Sequence, residues 1–262
     1  MNKRLLDILK HRKNYYSQNG EDGVLEYILD KIQNKNKWCV EFGAWDGIHL
    51  SNTYHFISKL GYHGVLIEGV KGRYDILCAN MEKFGSICIN KFVNYEGLDT
   101  LDLILSETPI PIDFDLLSID IDGNDYYVWE ALNNYKPKVV IIEINIRNKP
   151  NQNIINKKDS SYRHGVSGTS ILPLTKLAEK KGYTLVANIS CNAIYVCDEY
   201  FSLFYDKKQK IEDLYLYEGQ YFHELTFIEM KRIGIYLTIK KLFFLIGVVF
   251  KKIKKFLIKK LF

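Results

Sequence analysis

The sequence predicts an α/β fold, a doubly wound seven-stranded sheet that closes with an antiparallel hairpin. Strand-forming runs alternate with helix-forming runs from Trp38 onward, and this alternation is typical of a parallel sheet. The strand-forming runs are apolar at successive positions, as expected where helices cover both faces of a sheet. Two later strand-forming runs meet at a tight turn at Cys191-Asn192, which predicts the hairpin.

Seven segments have the composition of strands and six have the spacing of helices. The strand candidates cover residues 37–43, 62–69, 85–93, 115–122, 138–146, 182–190 and 192–201. The helix candidates cover residues 22–34, 50–60, 71–83, 97–106, 125–134 and 170–181. The polar stretch 147–170 is too long for an ordinary connection and therefore predicts a functional loop.

A glycine-rich junction follows the first strand. The stretch KWCVEFGAWDGIHLSNT (37–53) places Glu41 at the end of an apolar run, with Gly43 and Gly47 before a helix. Ligands of open α/β sheets bind beyond the carboxyl ends of the strands, where a glycine turn lets a cofactor approach the backbone. The stretch lacks the G-x-G-x-x-G pattern of dinucleotide-binding folds, so ordinary turn glycines are an open alternative at this point.

The second strand adds an independent sign of a cofactor site. It ends on Glu68, where a carboxylate can accept both hydroxyl hydrogens of a ribose. With five alternating units and the hairpin, the chain from about Tyr16 to Tyr200 resembles the class I S-adenosylmethionine-dependent methyltransferases, which have a Rossmann-like fold. The segments YSQNGEDGVL, VEFGAWDG, LSNT, GVLIE and SIDIDGNDYYVWEAL are similar to the FkbM-type family, many of whose members are encoded with bacterial surface-polysaccharide genes.

The resemblance implies S-adenosylmethionine as the cofactor. It implies that Glu41, Gly43 and Gly47 surround the methionine portion and that Glu68 holds the ribose.

Three further cofactor residues are implied by the resemblance, each with a structural alternative. Ser17 and Gln18 are expected to contribute, although SQNGED also reads as an ordinary helix cap with acids in the first turn. Asn94 occupies the position at which related enzymes contact the adenine, and its alternative is a turn residue.

Acidic residues follow the fourth and fifth strands. Asp120 and Asp122 lie in SIDIDGND, and Glu143 and Asn145 lie in IIEIN on the adjacent strand. Side chains two positions apart on a strand point the same way, so both pairs are expected to face one site. So many carboxylates together need a cation, a substrate hydroxyl or raised pKa values to offset their desolvation.

Oxygen ligands from neighbouring strand ends suit Mg²⁺ or Mn²⁺. The resemblance to metal-dependent sugar O-methyltransferases implies Asp120, Glu143 and Asn145 as the ligands, although this chain lacks the two consecutive acidic or amide residues common after the fifth strand. A turn at 122–125 that begins the next helix is the alternative, and both can hold together.

Methyl transfer to a hydroxyl also requires a proton acceptor. The candidates are Asp122 and His164, a histidine that lies beside a glycine and can exchange a proton near neutral pH. Arg147 and Arg163 are candidates for binding the diphosphate of an activated sugar. We therefore expect a methyltransferase acting on a hydroxyl of a sugar or nucleotide sugar, such as a heptose or hexose precursor of capsule or lipopolysaccharide.

The carboxyl-terminal segment is both basic and apolar. Residues 240–262 carry eight lysines and no acid, so the net charge of +5 becomes −3 for the rest of the chain. Its longest run without a charged or polar side chain, 242–250, has nine residues including Gly247, fewer than the roughly 20 that span a bilayer. The pattern predicts an amphipathic helix in peripheral contact with the cytoplasmic face of the inner membrane, and packing on its own domain or a second subunit is the alternative.

These features divide the chain into a methyltransferase domain (1–205), a helical extension (206–235) and a basic tail (236–262). The cysteines lack metal-type spacing and the amino terminus lacks the apolar region of a signal peptide, so we expect a cytoplasmic protein. The basic residues do not form a stripe on the domain, which argues against a nucleic-acid partner, whereas a homo-oligomer is compatible. A nucleotide-sugar oxidoreductase on a dinucleotide fold and a non-catalytic membrane-associated scaffold are the alternative functions.

Overall fold

A computed structural model describes residues 3–160 and 167–215. His164, Arg163 and the basic tail lie outside these ranges, and the predicted extension 206–235 is described only as far as residue 215. The division into three regions therefore stays a prediction. Within the two described ranges, no helix is both long and apolar enough to cross a bilayer.

Seven strands form one sheet in the order β3-β2-β1-β4-β5-β7-β6. They are β1 (Trp38–Phe42), β2 (His63–Ile67), β3 (Ile87–Ile89), β4 (Leu116–Ile119), β5 (Val139–Glu143), β6 (Tyr183–Ile189) and β7 (Asn192–Cys197). The first five are parallel, and β7 runs antiparallel to both β5 and β6. The predicted α/β class, with its terminal antiparallel hairpin, is confirmed. The hairpin turn lies at Ser190-Cys191, one residue earlier than predicted.

Eight α-helices accompany the sheet in the described residues. They are α1 (Lys3–Leu9), α2 (Glu21–Lys31), α3 (Tyr54–Leu60), α4 (Lys71–Met81), α5 (Leu101–Ser106), α6 (Asp125–Ala131), α7 (Ile171–Lys180) and α8 (Ile211–Leu214). The sequence did not indicate α1, whereas α8 lies within the predicted helical extension 206–235. Helix α3 begins later than predicted because residues 43–53 form a loop, and β3 is shorter than predicted because it pairs only with β2 at the sheet edge.

The core lies on both faces of the central strands. Successive residues of β4 are buried, and so are Val139–Ile142 of β5, as expected for strands covered by helices on each side. The fully buried Trp129 of α6 packs against Tyr195 of β7, with ring centroids 5.2 Å apart. Each large apolar side chain buried in this way contributes about 1.5–3 kcal/mol, so the sheet is a rigid support for the loops at its ends.

A buried ion pair lies at the amino-terminal edge of the sheet. The Asp115 carboxylate, fully buried before β4, accepts a hydrogen bond from Lys138 Nζ at 2.7 Å and others from the backbone of Asn36 and Lys37. The charge of Asp115 is therefore neutralised, in contrast to the acids at the opposite edge.

Candidate active site

Two open cavities lie side by side at the carboxyl ends of the parallel strands. The first cavity has a volume of about 460 Å³ and includes Glu68 and Asn94 in its wall. The second cavity has a volume of about 370 Å³ and includes Gln18 and Trp45. The residues that line both are Gly43, Arg73, Asp120 and Asp122. Because carboxyl ends of parallel strands are the usual ligand-binding edge of such sheets, these cavities form the candidate active site.

Gly43 brings the ends of β1 and β4 together. Its φ of +75° is in the left-handed region, and a Cβ at this position would lie 2.1 Å from the backbone oxygen of Asp120. Only glycine fits this close approach. Gly47, with φ +76°, lines neither cavity, and a Cβ there would lie 2.6 Å from Leu77 of α4. The first glycine shapes the cavities, and the second packs their loop on a helix.

Glu68 retains acceptor capacity on the wall of the first cavity. Its Oε2 accepts the Trp45 backbone N–H at 3.0 Å, and its Oε1 accepts the Val70 backbone N–H at 2.8 Å. A carboxylate offers about four lone-pair positions, so two remain for a ligand. The backbone therefore orients the carboxylate while a ribose diol can still bind.

The Glu41 carboxylate accepts hydrogen bonds from the loop that follows β1. Its carboxylate accepts hydrogen bonds from the hydroxyls of Ser51 and Thr53 at 2.6 and 2.7 Å and from the Asn52 backbone at 2.9 Å. Burial raises the pKa of Glu41, and these hydrogen bonds oppose the rise. Although Glu41 lines the second cavity, its described contacts shape the 51–53 loop, which is a structural contribution that the sequence did not indicate.

The two cofactor residues predicted before α2 also differ in their contacts: Ser17 has a structural role, whereas Gln18 lines a cavity. The Ser17 hydroxyl accepts the Asp22 backbone N–H at 3.1 Å, as in the helix-cap alternative, and Ser17 lines neither cavity. Gln18 lines the second cavity, and its side-chain amide makes no hydrogen bond with a described residue. Gln18 is therefore the better placed of the two to contact a ligand.

Asn94 and Phe92 form one end of the first cavity. Asn94 Oδ1 accepts the Tyr95 backbone N–H at 2.7 Å, as a turn residue does, while Asn94 also lines the cavity. Phe92 is 70% exposed and packs over Gly69, where a Cβ would lie 2.3 Å from the ring. An exposed aromatic face inside a cavity suits stacking of a planar base. The sequence analysis missed Phe92, which lies two residues before the predicted Asn94.

Three carboxylates converge where the two cavities meet. Asp120, Asp122 and Glu143 each offer an oxygen, and these oxygens lie within 4.8 Å of one another. We call this group the carboxylate trio. Desolvation raises the pKa of Asp120 and of Glu143. Repulsion from Asp125 and Asp122 adds to the rise for Asp120, and repulsion from Asp120 adds to the rise for Glu143. None of the three accepts a hydrogen bond or forms an ion pair within the described part of the chain, so their charge lacks the compensation that Asp115 has.

A tight turn holds the trio in place. Asp125, the first residue of α6, accepts the backbone N–H groups of Ile121 and Gly123 at 2.9 and 2.8 Å. Asp122 has φ +61°, a left-handed conformation that aspartate tolerates better than most residues. The turn predicted at 122–125 therefore exists, and it is the scaffold of the acidic site.

The side-chain amide of Asn145 makes hydrogen bonds within the polar loop that follows β5. Its Oδ1, the amide atom able to ligate a metal, accepts the Arg147 backbone N–H at 3.1 Å, and its Nδ2 donates to the Ser167 carbonyl at 3.0 Å. Asn145 thus ties the base of the long polar loop, and its role as a metal ligand stays a prediction.

Asp159 and Ser160, in the polar loop that follows β5, form one side of the first cavity. Asp159, which lines the cavity, accepts hydrogen bonds from Tyr95 Oη at 2.8 Å and Asn124 Nδ2 at 2.9 Å. Lys158 Nζ lies 4.2 Å from the centroid of the Tyr95 ring. These contacts hold residues 158–160 against the cavity, consistent with the predicted functional loop, although no pattern in the sequence indicated the partners.

Trp45 and Arg73 are the other residues that the sequence analysis missed. Arg73 lines both cavities, and its guanidinium carbon lies 5.5 Å from the centroid of the Trp45 ring. Their positions in the sequence could have indicated them: Trp45 belongs to the glycine-rich junction, and Arg73 lies in the first turn of α4, the helix that follows Glu68.

No protein-family model matches the sequence, and no curated protein matches it. Similar solved structures include an O-methyltransferase from Bacillus cereus in complex with SAH, with 17% identity, a TM-score of 0.44, and coverage of 75% of this chain and 90% of that chain. A SAM-dependent methyltransferase from Aquifex aeolicus has 11% identity, a TM-score of 0.41, and coverage of 75% and 97%. TrmK from M. capricolum, in complex with S-adenosyl-homocysteine, has 14% identity and a TM-score of 0.37 over 66% of this chain, which spans 65% of the TrmK chain. The strand order and directions described above are those of a Rossmann-like doubly wound sheet that ends in an antiparallel hairpin.

Proposed function

We propose that the protein transfers a methyl group from S-adenosylmethionine to a hydroxyl of a sugar or nucleotide sugar. The observation that carries this proposal is the position of Glu68 and the carboxylate trio on one continuous cleft, with Gly43 between them. Such a cleft can hold a nucleoside at one end and place a reactive group beside the acids at the other.

The first cavity fits the adenosyl part of the cofactor. Glu68 has two acceptor positions for the ribose hydroxyls, and Phe92 and Asn94 offer a stacking face and a polar edge to the adenine. Gly43 lets the remainder of the cofactor pass close to the backbone toward the second cavity.

The carboxylate trio fits a divalent cation. Three hard oxygen donors within 4.8 Å, without described hydrogen-bond partners, suit Mg²⁺ or Mn²⁺, and a cation would offset their mutual repulsion. We infer that Asp120, Asp122 and Glu143 hold the metal, with Asp122 replacing the expected Asn145. A metal there would lower the pKa of an acceptor hydroxyl.

Methyl transfer requires that the cleft align the acceptor oxygen with the methyl carbon and that a base accept the hydroxyl proton. The acceptor oxygen bonds to the methyl carbon while the bond between that carbon and sulfur breaks. The electron pair of the broken bond stays on sulfur, which gives S-adenosylhomocysteine. The hydroxyl proton passes to a base, and Asp122 serves in that way only if it does not ligate the metal. His164, outside the described residues, is the other candidate.

The sugar acceptor rests on the similarity of sequence segments to the FkbM-type family. The second cavity supports it with an exposed aromatic ring at Trp45 beside carboxylates and the Gln18 amide, a composition that can contact both the apolar face and the hydroxyls of a sugar. A precursor of capsule or lipopolysaccharide is the acceptor class that we propose.

Calorimetry with S-adenosylhomocysteine tests the donor site. Glu68→Ala should weaken binding by about 1–3 kcal/mol because two charge-assisted hydrogen bonds to the ribose are lost. Glu82→Ala, at an exposed acid that lines neither cavity, is the matched control and should bind as the wild type does. Absence of binding to the wild-type protein at millimolar ligand would contradict the proposal, and NAD(H) retained through purification would favour an oxidoreductase instead.

We also propose that the basic tail binds anionic membrane surfaces. The support is its sequence, in which eight lysines alternate with apolar residues across 240–262. Deleting 236–262 should abolish sedimentation with phosphatidylserine vesicles while S-adenosylhomocysteine affinity is unchanged. Sedimentation that persists after the deletion would refute this part of the proposal.

A further inference from the structure

The charged residues around the two cavities are strongly unbalanced. The acids are Glu41, Glu68, Asp120, Asp122, Glu143 and Asp159, and the bases are Arg73 and Lys91. Lys91 forms an ion pair with Asp99 at 3.2 Å. Arg73 forms no hydrogen bond through its side chain and no ion pair within the described ranges. All of its guanidinium donors are therefore available to a ligand, whereas Lys91 already uses part of its charge on Asp99.

Trp45 holds Arg73 at the junction of the cavities. The guanidinium lies over the indole ring, 5.5 Å from its centroid, an arrangement typical of cation–π contacts. Arg73 and Asp122 line the same two cavities, although their side chains are not in ion-pair contact. Arg73 thus shares a cavity lining with two acids of the trio and contacts an aromatic ring, and its side chain is exposed.

The Trp45 platform is itself fixed. Its backbone N–H donates to Glu68, and its φ of +48° is in the left-handed region, which a tryptophan adopts only when its surroundings enforce it. The next turn is held by Asp46 Oδ1, which accepts the backbone N–H groups of Ile48 and His49 at 2.9 and 2.7 Å. The position of the indole, and of the guanidinium on it, is therefore linked to the proposed ribose site.

We propose that Arg73, stacked on Trp45, is the oxyanion-binding residue of the cleft. This inference rests on the proposed function. S-adenosylmethionine carries a sulfonium, an ammonium and a carboxylate; the acids complement the first two, and Arg73 complements the third. A phosphate of the acceptor presents the same chemistry, and a guanidinium fork binds either group through two parallel hydrogen bonds.

Two nucleosides that differ in the amino-acid part identify the anion. Calorimetry compares S-adenosylhomocysteine with 5′-methylthioadenosine, which lacks the carboxylate, in the wild type, Arg73→Gln and Lys71→Gln. Lys71 is the matched control because it is on the same helix, pairs with Asp75 and lines neither cavity. If the cofactor supplies the anion, Arg73→Gln should weaken S-adenosylhomocysteine binding by about 10- to 100-fold and leave 5′-methylthioadenosine unchanged.

A phosphate ligand gives a different pattern. Arg73→Gln should then bind S-adenosylhomocysteine normally but lose affinity for uridine diphosphate, measured with the cofactor product present, by a similar factor. Affinities for both ligands equal to those of Lys71→Gln would overturn the proposal. If the wild type binds uridine diphosphate but no S-adenosylhomocysteine, the proposed methyl transfer fails while the oxyanion site remains.

The Trp45 contribution is tested separately. Trp45→Phe keeps an aromatic face and should retain anion affinity, whereas Trp45→Leu should lose part of it because the guanidinium is no longer held in place. Circular dichroism confirms that both variants are folded. Equal anion affinity in the two variants would refute the positioning role of the ring.

Discussion

The protonation of the carboxylate trio depends on pH, because placing three negative charges close together is unfavourable. Desolvation raises the pKa of Asp120, Asp122 and Glu143 above their ordinary values, and repulsion from neighbouring acids adds to the rise for Asp120 and Glu143. Protons that remain bound near neutral pH must leave before a cation can bind, because a metal ligates the ionised carboxylate.

We therefore predict that affinity for Mn²⁺ increases with pH between 6 and 8. Each released proton contributes up to about tenfold per pH unit, and the apparent enthalpy should change with the ionisation enthalpy of the buffer. Asp120→Asn should reduce the affinity at every pH in the same titrations. A wild-type affinity independent of pH would show that the trio is already ionised or does not bind the metal.

Asp122 distinguishes ligation from base catalysis. Asp122→Asn should weaken Mn²⁺ binding if the carboxylate is a ligand, as the close approach to Asp120 and Glu143 favours. Retained Mn²⁺ affinity together with turnover lowered by about 10²- to 10⁴-fold would assign it to the base instead.

The positions of the strand-end residues could be predicted from the sequence, but their partners could not. Parallel pairing brings the ends of β1, β2, β4 and β5 to one edge, so the placement of Glu68 and Asp120 there follows from the alternation of strands and helices alone. Whether a carboxylate is occupied depends on loops. The hydroxyls of 51–53 reach Glu41, and the loop base engages Asn145, through backbone conformations that no periodicity reveals.

At the scale of elements, the loop after β1 decides the shape of the cleft. Its glycine at 43 permits a contact that any side chain would prevent, whereas Gly72, in the first turn of α4, has no atom within 4 Å of an added Cβ. Substitution by alanine is therefore expected to have opposite effects on stability at these two glycines.

We predict that Gly43→Ala destabilises the protein by about 2–4 kcal/mol, because left-handed strain and a clash with the Asp120 backbone combine. Gly72→Ala should stabilise it by about 0.5–1 kcal/mol, because alanine favours helix and the position has room. Urea unfolding measures both. A stable Gly43→Ala variant would mean that the β1–β4 junction relaxes without cost.

At the scale of the whole molecule, the two ends of the described chain meet at the hairpin. Helix α1 and helix α8 both pack against β6. The buried Asn192 of β7 donates to Glu21 Oε1 at 3.0 Å, a contact between residues 171 positions apart. The segment that brings Gln18 to the second cavity is therefore tied to the last strand of the sheet.

We predict that Asn192→Asp destabilises the protein more than Asn192→Ser does. The aspartate would place a second carboxylate against the fully buried Glu21, whereas serine removes only a hydrogen bond worth about 1–3 kcal/mol. Urea unfolding should show the order, and the excess loss for aspartate should shrink at pH 5, where one of the two acids can take up a proton. Equal stabilities at pH 7 would mean that Glu21 is not near Asn192 in solution.

The link between Asn192 and Glu21 also bears on synthesis of the chain by the ribosome. Strands β1 to β5 can pair as soon as residue 143 has emerged, and the chain up to that residue already contains Glu68 and the carboxylate trio. The segment carrying Gln18 cannot settle until residue 192 follows, and β5 has an open edge until β7 covers it. We therefore expect a nascent chain to complete the lining of the second cavity only after the final hairpin is made.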